Sequence, residues 1–160
     1  MAEHPSLTSA AARGVVVIRH EELARLIPHT GAMCLIDSVI SWDQDAIRCQ
    51  TTQHRSPANP LRSRGRLGAA CGIEFAAQAM AAHGRLCAGP GGRPQHGYLA
   101  SLRQVDCRCE RLDTFAGDLI IDVERLAGDE RQALYAFVLR SADVELLSGR
   151  ATVILEADAG

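Results

Sequence analysis

Residues 68–85, GAACGIEFAAQAMAAHGR, constrain this chain more than any other stretch. Ala69, Ala70, Ile73, Phe75, Ala76, Ala77, Ala79, Met80, Ala81 and Ala82 leave a helix over this run without a broad polar face. Such a helix has to be wrapped by the rest of the fold. Two polar residues break the pattern. Glu74 and Gln78 stand four apart and share one helical face. A carboxylate at the head of a buried helix must be satisfied by partners or put to use. Two readings are open: a first-turn acid that complements the helix dipole, or a general acid or base in a mostly apolar pocket. No capping box supports the first, because position 71 is Cys71 rather than Ser or Thr.

A chain of 160 residues suits one domain with a proper core. The net charge of -2 gives no global attraction to nucleic acid. Aromatic residues make up only 4%, too few for base-stacking platforms. No apolar run reaches membrane-spanning length. Residues 1–13 are polar and small, without the apolar core of a signal peptide, and read as a flexible tail before a single domain over 14–160. A cytoplasmic protein is expected. The six cysteines, Cys34, Cys49, Cys71, Cys87, Cys107 and Cys109, are scattered and read as buried free thiols. Cys107-Arg108-Cys109 lacks the spacing and the second pair of a zinc knuckle, so no metal is expected.

In chain order, residues 14–19 read as a short strand or extended lead-in, and 21–27 as a helix stopped by Pro28. Residues 33–42 read as a strand, 43–45 as a turn and 46–53 as an alternating strand with Ile47, Cys49 and Thr51 on one face. Residues 54–67, HRSPANPLRSRGRL, form a loop long enough to suggest function. After the helix, the glycines of 88–92 act as a stop and connector. Strands follow over 97–109, 118–126, 132–140 and 145–156, joined by short turns that favour antiparallel pairing. The economical architecture is α+β, one long central helix wrapped by a curved antiparallel sheet.

That order resembles the hot-dog fold, and the residues resemble a family within it. Leu26-Ile27-Pro28-His29 followed by Leu35-Ile36-Asp37-Ser38-Val39 is similar to the opening of bacterial 3-hydroxyacyl-[acyl-carrier-protein] dehydratases. Glu74-Phe75-Ala76-Ala77-Gln78 resembles the E-x-x-A-Q of their central helix. His54-Arg55-Ser56-Pro57-Ala58-Asn59-Pro60-Leu61-Arg62, with the helix from Gly72 to Gly84, looks closest to the dehydratase branch of aryl-polyene gene clusters. One motif departs from the main families: the chain has no G-H-F-P before the glutamate, and His54 is the nearest histidine.

The resemblance implies dehydration of a 3-hydroxyacyl thioester to the 2-enoyl thioester. One group takes the C2 proton and another protonates the departing hydroxyl. His54 is the candidate base and Glu74 the candidate acid, meeting across a dimer interface, with His29 as the alternative base. Backbone N–H groups between Gly68 and Gly72 are candidates to hold the thioester oxygen. Gln78, Asn59, Arg62 and Arg66 complete the candidate substrate-binding set, the arginines (with Arg64) facing an acyl carrier protein or its phosphopantetheine phosphate. The partners implied are that carrier protein and a second hot-dog subunit, as homodimer or heterodimer, with no cofactor. Two alternatives share the fold: an acyl thioesterase, and a catalytically silent subunit that pairs with an active dehydratase.

Overall fold

The computed structural model describes residues 17–27, 31–92 and 95–157. Its elements are β1 (Ile18–Arg19), α1 (His20–Leu26), β2 (Ser38–Trp42), β3 (Ala46–Thr51), α2 (Gly72–Ala88), β4 (Gln95–Cys107), β5 (Leu119–Gly128), β6 (Gln132–Ser141) and β7 (Val144–Ala157). All seven strands join one antiparallel sheet in the order β1-β2-β3-β5-β6-β7-β4. Helix α2 packs on its inner face, so the expected wrapped helix and α+β hot-dog arrangement are found. No helix among the described residues is long and apolar enough to cross a membrane.

The core forms where strand alternation meets the helix. Ala133, Tyr135, Phe137 and Leu139 of β6 and Ile121 and Val123 of β5 point inward and are buried. Ile47, Cys49 and Thr51 of β3 do the same, as their alternation predicts. From α2 come Phe75, Ala76, Ala79, Met80 and Ala82, while Ile73, Ala77 and Ala81 stay half-buried. Gly72 shows why the helix starts with a glycine. A Cβ there would lie 2.7 Å from Leu147 Cδ2 and 2.9 Å from Leu139 Cδ2, so the backbone itself rests on β6 and β7.

Three sequence expectations are corrected. Residues 33–37 are not strand: Gly31–Met33 is a 3-10 turn, and β2 begins only at Ser38. The reason is Gln78, whose Oε1 accepts the Leu35 N–H at 2.9 Å while its Nε2 donates to Met33 O at 2.7 Å. A helix side chain thus takes the backbone bonds that a ladder partner would supply. The central helix opens with a 3-10 turn, Ala69–Cys71, before α2 proper. The cysteines are free, but only Cys34 and Cys49 are buried, and Cys107 lies exposed at the end of the edge strand β4. Burial pushes the Cys49 thiol up to about 12, so it stays neutral and inert. Residues 14–16, the turn at 28–30 and the tail expected over 1–13 lie outside the described residues.

The far half of α2 is anchored by a buried polar residue. His83 is fully buried, with Nε2 2.9 Å from Asp43 O and Nδ1 3.1 Å from the Tyr135 hydroxyl. A carbonyl only accepts, so Nε2 carries the proton and Nδ1 accepts from the tyrosine. Burial lowers the affinity of His83 for a second proton and raises Tyr135 to about 12, which keeps both neutral. His83→Ala leaves two buried groups unpaired and a cavity, and is expected to cost about 3 kcal/mol or more. Tyr135→Phe removes one bond and is expected to cost about 1 kcal/mol. Urea unfolding followed by circular dichroism measures both.

Candidate active site

The loop between β3 and α2 is long, but it is tightly built. Arg62 organises it. Its Nε donates to Ser56 O at 2.7 Å, Nη1 to Gly65 O at 2.9 Å and Nη2 to Arg55 O at 3.1 Å. A longer contact of 3.5 Å reaches His54 O. Asn59 is buried and bridges the same loop, donating to Gln53 O and accepting from Leu61 N–H. At the tip, Ser63 and Arg66 pair across a two-residue turn in which Arg64 and Gly65 both have positive φ, 53° and 74°. This turn holds Arg64 and Arg66 out in solvent, without an ion-pair partner among the described residues.

Asp113 joins this loop to the helix start. Its Oδ2 accepts from Arg62 Nη1 at 3.1 Å and from Arg111 Nη2 at 2.6 Å. Its Oδ1 accepts from the Leu67 N–H at 3.2 Å and from Arg111 Nε at 3.0 Å. The Arg111 guanidinium beside it holds the Asp113 carboxyl well below the usual carboxylate range. Around it the backbone pairs as well: Leu112 N–H donates to Leu67 O, and Ala69 N–H to Glu110 O.

His54 sits at the head of the loop and is fully buried. Its Nε2 lies 3.0 Å from Phe115 O, so Nε2 is the protonated nitrogen. That leaves the lone pair on Nδ1, which is buried and has no partner among the described residues. Burial lowers the pKa of His54, and the Phe115 carbonyl pulls the other way. Glu74 stands half-buried in the first turn of α2. One oxygen accepts from Gln78 Nε2 at 3.4 Å. The hydrogen bonds of His54 do not reach Glu74 within the protomer.

The structure therefore brings together some expected residues and gives others plain structural work. Arg62 and Asn59 hold the loop, and Gln78 holds residues 33–35. At the helix start, Cys71 N–H donates to Gly68 O, and Gly72 N–H to the carbonyls of Ala69 and Ala70. With Ala69 also engaged, the amides of Gly68 and Ala70 are the ones left for a ligand. Arg66 is exposed, and His29 lies outside the described residues. Residues 110–117 carry no strand or helix pattern, yet Arg111, Asp113 and Phe115 fix both candidate groups. The Arg-x-Asp spacing was the available signal.

Arg62→Ala is expected to cost about 2–3 kcal/mol, because carbonyls of a packed loop lose charge-assisted donors. Arg62→Lys is expected to recover little of this, since one ammonium cannot reproduce a fork that reaches five oxygens. Thermal unfolding of the two variants against the parent checks it.

A family profile described as ApeP-like, ApeP dehydratase, matches residues 21–159. No protein of curated function matches the chain in sequence. Among solved structures, the dehydratase heterocomplex ApeI:P from Xenorhabdus doucetiae aligns over 85% of this chain and 91% of that one, with 23% identity and a TM-score of 0.75. A thioesterase from Haemophilus influenzae aligns over 89% and 94%, with 13% identity and a TM-score of 0.62. A thioesterase mutant from Pseudomonas aeruginosa aligns over 88% and 95%, with 11% identity and a TM-score of 0.61. The structural likenesses carry the hot-dog fold, and the profile, spanning nearly the whole sequence, carries the family: the chain belongs to the ApeP-like dehydratases.

Proposed function

We propose that the chain dehydrates a 3-hydroxyacyl thioester carried on acyl carrier protein, in aryl-polyene-type lipid synthesis, with His54 as base and Glu74 as acid. Membership of a dehydratase family supports the reaction class. The observation that carries the residue assignment is the tautomer of His54. With Nε2–H given to Phe115 O, Nδ1 presents a desolvated lone pair, as a base for a weakly acidic C–H requires. Nδ1 takes the C2 proton, the electron pair becomes the C2–C3 double bond, and the C3–O bond breaks as the Glu74 carboxyl protonates the departing hydroxide to water. The enolate-like oxygen is met by the amides of Gly68 and Ala70.

The two groups come from different subunits in this reading. Edge strand β4 supports a dimer: among the described residues it pairs only with β7, and it exposes Tyr98, Leu99, Leu102 and Val105 along its length. The partner is a second copy or another hot-dog subunit, in line with the heterocomplex to which the fold is similar. One observation favours the silent-subunit alternative. Nδ1 of His54 is closed off from solvent in the protomer, and a partner with its own histidine could carry the reaction instead.

Purified protein given a 3-hydroxyacyl-carrier thioester is expected to form the enoyl thioester, read by mass spectrometry. His54→Asn and Glu74→Gln are each expected to lose about 100-fold or more in kcat. Mixing the two inactive variants is expected to restore activity, because one site in each mixed dimer is complete. Activity in His54→Asn would move the base elsewhere, and activity only after a hot-dog partner is added would establish the silent-subunit reading. Since burial keeps His54 neutral to lower pH, the acid limb of kcat/KM is expected below about 6.5, the ordinary histidine value.

A further inference from the structure

The sheet face away from α2 carries a groove that the dehydratase reading does not use. Along β6, Tyr135 and Phe137 point to the helix side, so Leu134 and Ala136 point away from it. Leu134 stands beside Thr152 of β7, and Thr152 beside Ser101 of β4. In the next row Ala136 stands beside Arg150, and Arg150 directly opposite Arg103. Leu134, Thr152 and Ser101, with Arg150, Arg103 and Gln104, line a cavity of about 390 Å³.

Arg103 and Arg150 face each other across β4 and β7. Arg48 pairs with Asp122, Arg55 with Asp118, and Arg108 with Asp106 and Glu145, whereas Arg140 of β6 leaves its buried Nε without a partner among the described residues. The side chains of Arg103 and Arg150 have no ion pair or hydrogen bond among the described residues, and like charges directly opposite repel. Asp106, the nearest acid along β4, is engaged by Arg108. In the arginine row the nearest carboxylate is Glu124, opposite Ala136, two strands from Arg150 and so about 9–10 Å away by strand spacing. Beside the pair, β4 bulges between Arg103 and Asp106, and Gln104 takes a φ of 53°. Side chains other than glycine rarely keep that backbone, and such positions cluster where a ligand is held.

We propose that this groove binds a phosphate ester. Two arginines opposite in register line the same groove, the hydroxyls of Ser101 and Thr152 and the Gln104 amide supply further donors, and Leu134 gives an apolar floor for the esterified group. A phosphate removes the repulsion that the bare pair carries. The site lies on the opposite sheet face from α2, so it stands or falls separately from the dehydratase reading.

The test is calorimetric titration of the purified protein with inorganic phosphate, then with 3′,5′-ADP and with phosphopantetheine. Saturable phosphate binding below about 20 mM is expected, weakening as chloride rises from about 50 to 300 mM. Arg103→Gln and Arg150→Gln are each expected to raise Kd about tenfold or more, while Arg131→Gln, in the β5–β6 turn, leaves it unchanged. Circular dichroism confirms that the exposed-strand variants fold. Tighter binding of ADP or of phosphopantetheine identifies the source of the phosphate, nucleotide or prosthetic arm. No saturable binding by the parent, or equal binding by the double variant, overturns the proposal.

Discussion

One carboxylate holds both halves of the candidate site. Asp113 accepts from Arg62, which ties down the loop beginning at His54, and from Leu67, which leads into the helix bearing Glu74. Its second guanidinium, Arg111, comes from its own segment and keeps it ionised. Two cations around one nearly buried anion satisfy the charges locally, so the site is held by bonds that water does not readily replace. The same short segment continues to Phe115, whose carbonyl selects the tautomer of His54. Without that bond either ring nitrogen could carry the proton.

The helix poses a second problem that the fold solves in the same way. Burying α2 among apolar strands also buries Gln78 and His83, and each polar atom needs a partner. Gln78 finds them in the backbone of residues 33–35, and His83 in the turn at Asp43 and the Tyr135 hydroxyl. Both therefore tie the helix to the β1–β3 side of the sheet, where apolar packing alone would leave the axial position of the helix loosely defined. Gly72 lets the helix start lie close at the other end, because a Cβ there would press on the Leu139 and Leu147 side chains.

The sheet is uneven in its outer chemistry. Toward β3 and β5 an outward charge is met by its opposite, as with Arg48 and Asp122. Toward β7 and β4 the outward pair is Arg150 and Arg103, with no acid in contact, next to an edge strand that exposes large apolar side chains. The sheet half around β4 thus combines two like charges face to face with an exposed apolar edge.

Much of this was legible in the sequence, for a physical reason. Periodicity and turn residues act locally, so the apolar run 68–85, the alternation at Ile47, Cys49 and Thr51, and the turn at 43–45 all reappear in the fold. The motif residues around Glu74 pointed to the dehydratase family that the profile supports. The tertiary structure decided what depends on long-range partners. Residues 33–37 look like strand, but the Met33 carbonyl and the Leu35 N–H bond to a side chain 45 and 43 residues away. Arg62 looks like a free loop cation, but five neighbouring oxygens absorb it. His54 looks like one histidine among several, and only the Phe115 carbonyl marks which nitrogen is basic. Arg103 and Arg150 lie 47 positions apart, and only the strand register sets them face to face. Sequence alone determined which segments must be buried, since burial follows from each residue's own solvation. Which polar groups are spent and which are left over was decided by the register between strands and by the packing of one helix.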